Sequence, residues 1–233
     1  VVHYIAASLR ALSASKSCRL DMISKGSIDL INQLMPHCNE SALLFCIRAL
    51  HDLLSNVNSF PSAIFDNAVN AATDVFALVD NPDFTPEAVQ TMWQYVGSVI
   101  FTCSKHEYCK KRNLVDNICR CMPKILQSSD PLTQFYGIAS AGNIFFNNLC
   151  YLCNNPVERI KTLLMLVLDT GFIVEDQNAK QGLSAALAML SCDDRYLNIL
   201  MQENLAIKVL KLAVTIANDS ESKAINLHSH IEF

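Results

Sequence analysis

The sequence predicts an all-α protein, a solenoid of stacked helical repeats. Three observations carry that prediction: apolar residues recur at helical spacing, short segments repeat roughly forty residues apart, and no stretch alternates as a strand would. The composition admits such a fold. Of the 233 residues, 51% are hydrophobic and 17% charged, enough for a continuous core and too apolar for a disordered chain. No Gly/Ser-rich or Pro-rich linker and no charge block divides the chain. Residues 1–218 therefore read as one stack of about five units, the first incomplete, and residues 219–233 as a frayed C-terminal tail. The chain begins at Val1, without Met and in mid-repeat, as a piece of a longer protein would.

The repeats are visible as residues. Ala7-Ser-Leu-Arg-Ala-Leu-Ser13 recurs in type as Phe45-Cys-Ile-Arg-Ala-Leu-His51, and from Leu12 to Leu50 is a step of 38. Pro86 to Gly97 and Pro131 to Gly142 match with a step of 45. The chain parses into five long helices near 2–14, 40–55, 86–104, 131–147 and 176–191, with shorter helices between them. Asn39 or Ser41, Thr85 before Pro86, Asp130 before Pro131, and Asp176 supply their starts, because short polar side chains cap exposed amides and Pro suits the first turn. Between the first two long helices, Leu20, Ile23, Ile28, Ile31 and Leu34 keep a helical spacing that Gly26 interrupts. Only Gly reaches positive φ freely, so one short helix can stop there and the next begin at a sharp angle.

This order of helix, Gly, helix, loop and long helix resembles the armadillo repeat, most clearly over residues 4–55. Leu197 to Leu212, with Asn204 in the place of the Gly, reads as a late copy. The resemblance implies a right-handed superhelical α-solenoid whose long helices line a concave groove, and a protein or peptide partner held along it. Importin-α, within that family, reads basic peptides with a ladder of Trp-x-x-x-Asn pairs. Here Arg10, Arg48, Trp93, Ile138 or Ala139, and Ala188 stand near the Trp positions, followed four residues on by Ala14, Asp52, Gly97, Gly142 or Asn143, and Cys192. The ladder is absent. The resemblance leaves Arg10, Arg48, Asp52, Trp93, Asn143 and Asn147 as candidate binding residues, and the two arginines favour an acidic partner. Each has a second reading: Trp93 packs among Met92, Val96, Val99 and Ile100, the arginines are solvated, and the asparagines cap a neighbouring turn.

The alternatives to a non-enzymatic binding scaffold are weaker. A basic cluster over residues 105–124 (Lys105, His106, Lys110, Lys111, Arg112, Arg120, Lys124) could meet a nucleic acid, or the chain could be a helical regulatory region of a larger enzyme. The net charge of -4 and the lack of aromatics interleaved with that cluster disfavour nucleic acid. Neither a phosphate-binding loop nor a nucleophile elbow nor a zinc-protease motif occurs. Ten cysteines at irregular spacing read as buried free thiols of a reducing compartment, cytoplasm or nucleus. Cys150 and Cys153 form one C-x-x-C, short of the four ligands of a structural zinc site, so neither metal nor cofactor is expected. The longest apolar runs, such as Leu163 to Leu168, are far shorter than the ~20 residues that cross a bilayer.

Overall fold

Local chemistry fixes where the long helices begin. In the computed structural model, which describes residues 1–55, 62–79, 81–105, 112–147, 149–153, 155–174, 176–191, 193–202 and 205–229, every described element is helical. These elements are α1 (Val2–Ala14), α2 (Lys16–Ser24), α3 (Ser27–Leu34), α4 (Glu40–Leu54), α5 (Ser62–Val79), α6 (Pro86–Ser104), α7 (Arg112–Leu126), α8 (Pro131–Phe146), α9 (Pro156–Ile173), α10 (Gln177–Ser191), α11 (Asp194–Gln202) and α12 (Leu205–Ser229), with 3-10 turns at Met35–His37 and Leu149–Leu152. Asn39 accepts the Ala42 amide at 3.0 Å, Thr85 that of Ala88 at 3.3 Å, Asp130 that of Thr133 at 2.7 Å and Asp176 that of Ala179 at 2.9 Å. Each satisfies a donor that the first helical turn would leave open. The caps fall at 39, 85, 130 and 176, steps of 46, 45 and 46, so the sequence repeat is a repeat of helix starts. Ser41 lies inside α4.

The helices pack as two rows. α1, α4, α6, α8 and α10 touch one another in chain order, and α3, α5, α7, α9 and α12 form a second row against them. Residues between the rows are fully buried, among them Ile31, Leu50, Phe65, Val96, Ile125, Ile144 and Leu168. Each such side chain contributes about 1.5–3 kcal/mol by leaving water. The second row is not made of short helices only: α5 and α9 have 18 residues each, more than any first-row helix except α6. α5 meets α3, α6 and α7, so apolar residues occupy a broad arc of it and leave a weaker stripe in the sequence.

Two glycines explain part of the repeat. Gly97 of α6 and Gly142 of α8 stand twelve residues after their caps, and each faces the next first-row helix. A Cβ on Gly97 would lie 3.2 Å from Tyr136, and one on Gly142 3.3 Å from Ala186. Gly26, at φ 80, turns the chain between α2 and α3 as its sequence context predicts. Leu20, however, points to solvent, 68% exposed, and α2 buries Met22 and Ile23 instead. α12 continues past residue 218, where the apolar pattern of the sequence ends. No helix among the described residues is long and apolar enough to cross a membrane.

Candidate interaction face

A residue's distance from its cap decides which way it points. Arg48 is nine residues after Asn39, and the same step from Thr85, Asp130 and Asp176 reaches Gln94, Ala139 and Ala185. Trp93 falls one residue short of this line. One residue is about 100° around a helix, and the indole accordingly turns inward: Trp93 is 7% exposed and meets Phe76 of α5 edge-on, ring centres 5.5 Å apart. Of the two readings of Trp93, the packed one holds.

The other predicted residues join successive first-row helices. Arg10 of α1 pairs with Asp52 of α4 at 2.8 Å, and the Ser13 hydroxyl lies 3.5 Å from the same carboxylate. Arg19 closes the end of that interface, donating to the Ser13 carbonyl at 2.7 Å and the Ser55 hydroxyl at 2.6 Å. Between α4 and α6, the Ser98 hydroxyl meets His51 Nδ1 at 2.9 Å. Burial pushes the His51 imidazole below its ordinary pKa, with Asp52 opposing, so the ring is uncharged at neutral pH. Between α6 and α8, Asn143 donates to the Ser104 hydroxyl at 3.0 Å and Asn147 to the Ser104 carbonyl at 3.5 Å. Asp52, Ser98 and Asn143 all stand thirteen residues after their caps, so one position on each helix reaches back to the helix before it.

Beside these polar contacts runs a series of partly exposed aromatic ones. His3 of α1 meets Phe45 of α4, ring centres 5.4 Å apart. His51 of α4 meets Tyr95 of α6 at 5.3 Å, and the exposed Arg48 guanidinium lies 5.8 Å from the Tyr95 ring centre. Phe101 of α6 meets Phe135 and Tyr136 of α8 at 5.9 and 5.8 Å. The Lys105 ammonium sits 3.7 Å above Phe101, where burial pushes its pKa down. Phe135 continues into a cavity of about 680 Å³ between α8 and α10, lined by Asp130, Pro131, Leu132, Asp176, Gln181 and Gly182. A search for one aromatic position per repeat misses this series, because each contact joins unlike positions on neighbouring helices and no single position is aromatic in every repeat.

Of the basic cluster, Lys105 is the described member that lies on this face. His106, Lys110 and Lys111 and the Arg112 side chain lie outside the described residues; Arg120 and Lys124 are exposed on α7, in the second row. Cys150 and Cys153 are buried beside Cys119, and the described cysteines are free thiols. Among the described residues no group of His, Cys, Asp and Glu is arranged to hold a metal ion.

No family model matches the chain, and no curated protein matches it. It is similar to an engineered protein of known crystal structure, a Northeast Structural Genomics Consortium target, with 15% sequence identity and a TM-score of 0.58 over 93% of this chain and 89% of that one. At that identity the likeness concerns the helical fold alone.

Proposed function

We propose that this chain is a non-enzymatic interaction scaffold, an armadillo-like α-solenoid that holds an extended protein or peptide segment along its first-row helices. The observation that supports this reading is the series of half-buried aromatic contacts from Phe45 through Tyr95 to Phe101, Phe135 and Tyr136, crossed by Arg48 and Lys105. Rigid aromatic side chains supply large contact area at small entropic cost, and they dominate many interfaces. Arg48 adds a preference for acidic side chains: Asp52, the carboxylate on the same helix face, is already bonded to Arg10. An acidic, apolar peptide suits this face better than the basic peptides of the importin-α ladder, whose Trp and Asn pairs the chain lacks.

Peptides enriched by display on the immobilised chain provide the test. Arg48→Glu is expected to weaken their binding by about 1–3 kcal/mol, roughly five- to 150-fold, and to reduce its salt sensitivity. Arg120→Glu in the second row should leave it unchanged. If Arg48→Glu binds normally while Arg120→Glu abolishes binding, the functional surface is the α7 face.

A further inference from the structure

The turn that leads into α4 holds two thiols close together. Cys38 Sγ lies 3.8 Å from Cys46 Sγ, and its own S–H points to the Leu34 carbonyl at 3.3 Å. We propose that Cys38 and Cys46 are an oxidation site, a dithiol that a hydroperoxide converts to an intramolecular disulfide. The proposal stands independently of the binding face.

The two cysteines differ in the way such chemistry requires. Cys38 is partly exposed and has extended backbone, φ -86 and ψ 140, between the 3-10 turn and the Asn39 cap. Cys46 is wholly buried in the second turn of α4. Peroxide therefore meets Cys38 first. Closing 3.8 Å to the ~2.05 Å of a disulfide asks for a shift of about 1.8 Å, which a residue outside a helix can supply without breaking helical hydrogen bonds. The Cys46 thiol, donating to the Cys38 sulfur, holds the Cys38 pKa below its ordinary value, while that same hydrogen bond, and then burial, push that of Cys46 up. Cys38 is thus the better thiolate nucleophile.

The electrons balance in two steps. The Cys38 sulfur attacks one peroxide oxygen, the O–O bond breaks, and the sulfur becomes a sulfenic acid as the second oxygen leaves as water or an alcohol. The Cys46 sulfur then attacks the Cys38 sulfur. The S–O bond breaks, the S–S bond forms, and the sulfenic oxygen departs as water with the Cys46 proton. Two thiols lose two electrons and two protons in all, and the hydroperoxide is reduced. Cys18 provides an internal comparison. It is also partly exposed, but its sulfur lies 4.0 Å from the Ser17 hydroxyl rather than beside a thiol.

The test is hydrogen peroxide treatment of the whole chain, followed by alkylation and non-reducing peptide mapping. The expected result is a Cys38–Cys46 linked peptide, lighter by two hydrogens, that dithiothreitol reverses. In Cys38→Ser the link is lost and Cys46 stays a free thiol under the same treatment. The idea fails if Cys38 proceeds to sulfinic or sulfonic acid while Cys46 remains reduced, or if Cys46 pairs with a different cysteine. The wild-type map decides between these outcomes even if the variant folds poorly.

Discussion

Tyr196→Ala is expected to cost about 3–5 kcal/mol of folding stability, the range for emptying a large aromatic site in a packed core. Tyr196 of α11 is 1% exposed and meets Phe145 edge-on at 5.6 Å and Tyr151 at 5.7 Å. Its hydroxyl donates to the Phe145 carbonyl at 3.2 Å, near the end of α8. Burial pushes the phenol pKa well above its ordinary value, so the hydroxyl remains a donor. The alanine variant empties the space beneath two rings and removes that bond together. Tyr196→Phe separates the two effects and should cost only about 1 kcal/mol, the net worth of one hydrogen bond. Urea unfolding followed by circular dichroism measures both. Equal losses for the two variants would mean that the hydroxyl, not the packing, fixes α11 against α8.

Gly137→Val is expected to destabilise by about 1–3 kcal/mol through overpacking. A Cβ at Gly137 would stand 2.9 Å from Leu126 Cδ2 and 3.0 Å from Ile125 Cγ2. Both neighbours are fully buried at the end of α7 and have no solvent to move into. The close approach joins the two rows at α8, so the variant should loosen both. A valine also offers better helix propensity than glycine by a few tenths of a kcal/mol, which offsets little of the clash. A melting temperature equal to or above wild type would show that α7 and α8 can separate freely.

What was legible in the sequence is what local chemistry decides. Asn39, Thr85, Asp130 and Asp176 could be placed because a cap acts on the amide three residues later. Gly26 was legible for a similar reason, since one residue at positive φ marks a turn. The side-chain contacts within the first row were not, because they join residues about a whole repeat apart, as Arg10 joins Asp52 and Asn143 joins Ser104. Trp93 shows how small an error suffices. Matching it to Arg48 misplaces the register by one residue, and counting from the caps moves the aligned position to Gln94 and the indole into the core. The half-buried aromatics escaped notice because each contact joins unlike positions on neighbouring helices.

Photo-crosslinking tests the proposed binding face most directly. A photoreactive amino acid is placed in turn at Gln94, Ala139 and Ala185, which continue the line of Arg48, and at Arg120 and Lys124 on α7. With a display-selected peptide bound, crosslinks are expected from at least two of the first three positions and from neither α7 position. Crosslinks from Arg120 and Lys124 with none from Gln94, Ala139 or Ala185 would contradict the proposal and move the binding surface to the second row.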